Sequence, residues 1–114
     1  MTTTPRIFAQ IKPQDLVNST RLYTVTAAHQ AQLTVFVCNQ TNALEFFRIA
    51  VVPAPAAGIT ISQPDISNYI AYDTQLIGNG VFAVSGIGLN SGDMIYVKSQ
   101  FGGISFTATG IEFS

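Results

Sequence analysis

His29 is the only histidine of the chain and Cys38 its only cysteine. The side chains that most often do nucleophilic, acid–base or metal chemistry therefore occur once each. His29 stands in the predicted turn Ala27-Ala28-His29-Gln30, with no serine or carboxylate at an informative spacing, and reads as an exposed turn residue rather than a general base. A three-histidine metal centre is impossible, and a lone cysteine allows neither an internal disulfide nor a thiolate zinc cluster. Cys38 ends an apolar run without a basic neighbour to favour its thiolate, and reads as a small buried apolar residue. The carboxylates Asp15, Glu45, Asp65, Asp73, Asp93 and Glu112 are isolated along the chain. They suggest neither the converging pair of a glycosidase nor the oxygen-dense loop of a calcium site. Gly78, Gly80, Gly86 and Gly88 open no helix, so they make no dinucleotide fingerprint. No catalytic, cofactor-binding or metal-ligating residue is assigned, and enzymatic activity is not expected.

The aromatic residues offer one recognition chemistry. Tyr69, Tyr72, Tyr96 and Phe101 could stack on a glycan. Strict alternation, however, puts Tyr69 and Tyr72 on opposite faces of one strand, which favours packing roles over a single platform.

Charge narrows the partners. Arg6, Lys12, Arg21, Arg48 and Lys98 are scattered and balanced by six acidic residues, for a net charge of −1. No basic stripe tracks phosphates, so nucleic acid is not an expected partner. No apolar run approaches the roughly 20 residues of a membrane helix. The opening residues MTTTPRIFAQ carry no apolar signal core, so export is not expected. Charged residues are 10% of the chain against 47% apolar, far below the usual quarter or so of charged residues. Such a surface suits a subunit that spends its life against neighbours.

These 114 residues fit one domain, preceded by an arm over residues 1–15 and occupying 16–114. The arm carries Ile7, Phe8 and Ile11 and ends at Lys12-Pro13. It could add an edge strand here or on a neighbouring subunit, or be an ordinary first strand. Beyond it, short alternating runs separated by turns predict about eight strands: 20–26, 32–38, 45–52, 66–74, 81–89, 94–98 and 104–113 after the arm. Leu33, Val35 and Val37 share one face of QLTVFVC, and Thr34, Phe36 and Cys38 the other. Apolar residues on both faces make this a central strand, its outer side open to cover by a neighbouring subunit. Phe47, Ile49, Val51, Ile95 and Val97 should point inward. Glu45 and Arg48 do not share a face. Asn90-Ser91-Gly92-Asp93 reads as a hairpin turn, Gly86 and Gly88 as a bulge or close approach, and Gly110 as a register shift. The expected fold is all-β: an antiparallel two-sheet β-sandwich, jelly-roll or immunoglobulin-like in order.

Three stretches carry a family resemblance. They are Leu22-Tyr23-Thr24-Val25 with Leu33 through Asn39; Phe46-Phe47-Arg48-Ile49-Ala50-Val51; and Tyr69 through Thr74 with Leu89 through Val97 and Ile104 through Glu112. Read together they resemble small β-sandwich virion structural proteins of tailed bacteriophages, cyanophages included. The resemblance implies a non-enzymatic capsid cement or decoration protein, with a tail, neck or fibre accessory, or a glycan-binding module, as alternatives. It implies the major capsid protein or tail subunits as partners, a homo-oligomer (a trimer among the options), and a place in the virion after assembly in the host cytoplasm. Candidate contacts are Ile7, Phe8 and Ile11 of the arm, Thr34 and Phe36 of the central strand, and Tyr69, Tyr72 and Tyr96. The 53–65 connector is a further contact region.

Overall fold

The computed structural model describes residues 2–114; Met1, the first residue of the predicted arm, lies outside them. Eight strands form: β1 (Thr3–Ile11), β2 (Thr20–Thr24), β3 (Gln30–Asn39), β4 (Glu45–Val52), β5 (Tyr69–Leu76), β6 (Val81–Leu89), β7 (Met94–Ser99) and β8 (Ile104–Phe113). β-branched and aromatic residues dominate them, and Pro, Gly and Asn punctuate the joins. A 3-10 turn, Ile66–Asn68, precedes β5 and is capped by the Asp65 side chain.

The strands make two antiparallel sheets, sheet A in the order β1-β8-β3-β6 and sheet B in the order β2-β7-β4-β5. The pairs β1–β8 and β3–β6 lie in sheet A, and β2–β7 and β4–β5 in sheet B. This is one long hairpin, closed between β4 and β5, whose successive rungs fall alternately into the two sheets. That wrapping is a jelly roll, and it excludes the immunoglobulin-like order. It also corrects the reading of residues 90–93. The Asp93 amide does donate to Asn90 O at 3.0 Å, but β6 and β7 lie in different sheets, so the turn is a crossover and not a hairpin.

Residues 3–11 of the predicted arm are paired with β8 along their length, with a bulge between Ile7 and Ala9. The extra residue there, Phe8, turns into the core, where its ring meets Tyr23 at 4.9 Å. Gly110 causes no register shift: β3 and β8 stay in one register from Gln30↔Phe113 to Asn39↔Ile104. A Cβ at Gly110 would strike the Gln32 carbonyl, so glycine there permits close approach of β3. Gly86, by contrast, does mark a bulge. It has a φ of 75° and, with Ser85, opposes Thr34 where the β3–β6 register shifts.

The inner faces interdigitate as one core. Leu33, Val35 and Val37 meet Phe47, Ile49, Ile95, Val97 and Phe106, all nearly devoid of solvent contact. Val51 packs against the same core, as its alternation predicts.

Two polar hubs hold one end of the sandwich. Glu45 is buried and accepts from Ser99 Oγ (3.1 Å), Phe101 N (2.6 Å) and Gly103 N (3.1 Å). Asn39 is buried too. Its Nδ2 donates to the carbonyls of Ala43, Leu76 and Ile77, and its Oδ1 accepts from Thr41 N and Oγ1. Each hub satisfies main-chain groups of the β3–β4, β5–β6 or β7–β8 crossovers that would otherwise be buried without partners.

Candidate docking surface

Each sheet has an outer face, and the two differ. The outer face of sheet B is covered by its own chain. Residues 53–68 run across it, and Ile61 and Tyr69 pack on Ala50, Val52, Met94 and Tyr96. Tyr96 is 4% exposed and its hydroxyl donates to the Ile61 carbonyl at 3.2 Å. Gln63 ties this connector to Ser19 through both ends of its amide. Tyr96 is thus a seat for the connector, and the connector itself is engaged with its own sheet.

Among the described residues, none covers the outer face of sheet A in this way. Register places Gln10, Thr107, Phe36 and Ala83 in one row across β1, β8, β3 and β6. A second row runs Ser105, Cys38, Val81, and a third Ile7, Thr109, Thr34. Pro5, Ile111, Gln32 and Gly88 make a fourth. None of these side chains is charged. Ile7 is 61% exposed, Phe36 43% and Val81 68%, and Thr34 and Cys38 are half-buried among them. Charged residues of the same strands lie elsewhere: Arg6 pairs with Glu112 at 3.0 Å on the inward side of the sheet.

The structure therefore sorts the candidate contacts. Ile7, Thr34 and Phe36 share the open face. Phe8 is buried in the core, and Ile11 is half-buried against it. Cys38, expected to be buried, stands half-buried on the outer face.

The tyrosines of β5 were expected on opposite faces, and the structure corrects this. Ile49 pairs with Ala71 and Ala50 with Tyr69, so one residue is extra between them. That irregularity returns Tyr72 to the side of Tyr69, their rings edge-to-face at 5.2 Å. Arg48 lies over the Tyr72 ring at 3.9 Å and forks onto Asp73 with Nε at 2.7 Å and Nη2 at 3.1 Å. The Arg48 bonds hold the Asp73 carboxyl below its usual range, and the carboxylate in turn raises the guanidinium. Asp73 takes a left-handed φ of 50°, which aspartate tolerates better than most residues. One face of Tyr72 is thus occupied by Arg48, and the Tyr69 hydroxyl is bonded to Ser19 Oγ at 2.9 Å.

His29 is less isolated than the sequence suggests. The β3–β8 pairing brings Glu112 Oε1 to 3.7 Å from its Nδ1, beside an open cleft of about 540 Å³ that Gln30, Asn90, Ser91 and Phe113 also line. The Ser91 hydroxyl donates to the His29 main-chain carbonyl at 2.7 Å and not to the ring. The serine–base hydrogen bond of a nucleophilic site is not made here.

The chain matches no protein-family model, no curated protein and no solved structure.

Three features of the surface escaped the sequence. Val81 and Ala83 join the outer face only because β6 pairs with β3. Ile111 joins it because β8 stays in register past Gly110. Glu112 reaches His29 across the sheet from far along the chain. In β6 the usable signal was its own alternation, Val81-Ala83-Ser85 against Phe82-Val84.

Proposed function

We propose that this chain is a non-enzymatic structural subunit of a bacteriophage virion, a capsid cement or decoration protein that docks the outer face of sheet A onto a larger protein. The observation that carries this reading is the uncharged face of four strands, open to solvent beside a sheet B that the chain covers for itself. Among jelly rolls this architecture recurs in viral capsid and lectin domains, and that likeness supports the reading by analogy alone.

Magnitudes shape the mechanism. Four strands about 4.8 Å apart and roughly eight residues long present about 500 Å² of face. One side of a standard stable interface contributes about 800 Å². A single copy on a single partner therefore binds weakly. A subunit whose rim meets two partners, or which is repeated over a lattice, gains from avidity. It stabilises the assembled shell by its preference for that state over the free subunits. A tail, neck or fibre accessory would use the same face and the same physics. A glycan-binding reading is weaker, because Arg48 occupies a face of Tyr72 and Tyr96 is buried.

The test is reconstitution. Particles stripped of the chain are mixed with purified protein, sedimented, and heated. Co-sedimentation and a raised shell-disruption temperature, both lost in Phe36→Lys, are expected. Binding that Phe36→Lys leaves intact would remove the face from the account.

A further inference from the structure

Sheet B carries an apolar cluster separate from the core between the sheets. Ala50 and Val52 of β4 and Met94 and Tyr96 of β7 form it, in the register Ala50↔Tyr96 and Val52↔Met94. These four residues are 0% to 5% exposed, although they face away from sheet A. The connector of residues 53–65 provides their cover, with Ile61 packed on the cluster and Tyr69 beside it.

That cover is held lightly. The connector runs from the end of β4 to the 3-10 turn, outside the sheet ladders. Residues 56–60 are exposed, Ile59 to 59%. A Cβ at Gly58, where φ is 82°, would meet nothing within 4 Å. Among the described residues, three hydrogen bonds tie residues 55–64 to the rest of the protein. Ser19 N donates to Gln63 Oε1 at 2.8 Å, Gln63 Nε2 donates to Ser19 O at 3.1 Å, and the Tyr96 hydroxyl donates to Ile61 O at 3.2 Å. The Ile59 amide is satisfied within the connector itself, by Ala56 O at 3.0 Å. The two ends are fixed independently. Ala54 N donates to Asp93 Oδ1 at 2.9 Å, and the Asp65 capping box holds the 3-10 turn.

We infer that the connector is a releasable strap: residues 55–64 swing off sheet B between anchors at Ala54 and Asp65, both sheets stay folded, and the apolar face of Ala50, Val52, Met94 and Tyr96 is uncovered. Segments with few buried apolar contacts and solvent-exposed backbone open locally, well below the free energy of global unfolding. Release gives up the packing of one half-buried isoleucine, and water takes over the hydrogen bonds of the freed polar groups. The ladders of β2, β7, β4 and β5 stay intact, since none runs through the strap. Exposure of the cluster to water opposes release, so the closed form dominates. The open form is a minor state, drawn out where another surface covers the cluster in the strap's place. The outer face of sheet A lies on the opposite side of the sandwich, so the strap stands apart from the docking role of that face.

The experiment is thiol labelling of the full chain as a Cys38→Ser/Val52→Cys variant, through a urea series below the unfolding transition. Val52 is 1% exposed beneath the strap, so a thiol there reacts with an aromatic disulfide reagent only when uncovered. The expected result is labelling with a urea dependence far shallower than that of global unfolding, because little surface is exposed. Ile61→Ala speeds labelling about tenfold. Val35→Ala weakens the core between the sheets and lowers the unfolding midpoint, yet leaves labelling unchanged. Peroxide oxidation of Met94 in the unaltered chain, located by peptide mass spectrometry, gives the same readout should Val52→Cys not fold. Labelling or oxidation that follows the urea dependence of global unfolding would overturn the inference. So would a rate that Val35→Ala raises and Ile61→Ala leaves unchanged.

Discussion

Phe36 of β3 stands directly across from Ala83 of β6 on the outer face of sheet A. The ring is 43% exposed, with Thr107 on its other flank and no charged side chain in its row. A phenyl ring beside an alanine on an open sheet is poorly used by a monomer and well used by an interface, where aromatic residues contribute disproportionately.

Phe36→Lys is expected to separate folding from docking. The side chain lies outside the core, so stability should move by no more than about 0.5 kcal/mol, read by urea denaturation. Shell binding should fall at least tenfold, because the ammonium group would be buried without a partner. A large loss of stability would show that the ring serves the fold.

Glu45→Ala is expected to cost about 3–5 kcal/mol. It strands Ser99 Oγ and the amides of Phe101 and Gly103 in a buried site, and each unsatisfied donor costs about 1–3 kcal/mol. The midpoint of chemical denaturation measures it. A change below 1 kcal/mol would mean that water replaces the carboxylate freely.

Tyr23→Phe should stabilise the protein by about 1 kcal/mol. The Tyr23 hydroxyl is buried without a hydrogen-bond partner while its ring packs on Phe8. Removing the hydroxyl keeps the ring and relieves the desolvation penalty. A thermal melt of the two proteins decides the sign.

The Arg48–Asp73 pair makes a pH prediction. The folded Asp73 carboxyl is held below its ordinary value of 3.8 by the Arg48 hydrogen bonds first. A depressed folded pKa gives stability that is present above the unfolded value and lost as pH falls through the folded one. The carboxylate side chain is 53% exposed, so the contribution is small, about 0–1 kcal/mol. Asp73→Asn removes that contribution where it is present, so the variant should be less stable at neutral pH by up to about 1 kcal/mol, and the two proteins should converge as pH falls below about 4. An identical acid profile for the two proteins would contradict the pairing.

Much of the fold was legible because alternation and turn chemistry agree locally. β4, β6 and β8 run over the spans that their apolar periodicity marks, and Phe47, Ile49, Ile95 and Val97 point inward as that period requires. What alternation could not carry is where it breaks. One extra residue in β5 reverses the face of Tyr72, and the bulge at Phe8 turns a surface candidate into core. Non-local pairing was equally invisible. The Gly92-Asp93 turn looks the same whether it joins two strands of one sheet or crosses between sheets, and His29 meets Glu112 only through β3–β8. Tyr96 illustrates the last limit: its face was readable, but the connector that buries it was not.

The most direct measurement is cryo-electron microscopy of intact phage particles that carry this chain. The account requires many symmetric copies on the capsid, each with Ile7, Thr34 and Phe36 against the shell and the connector of residues 53–65 turned away. Copies bound through sheet B, with the outer face of sheet A bare to solvent, would contradict it, as would particles whose capsid holds no copy at all.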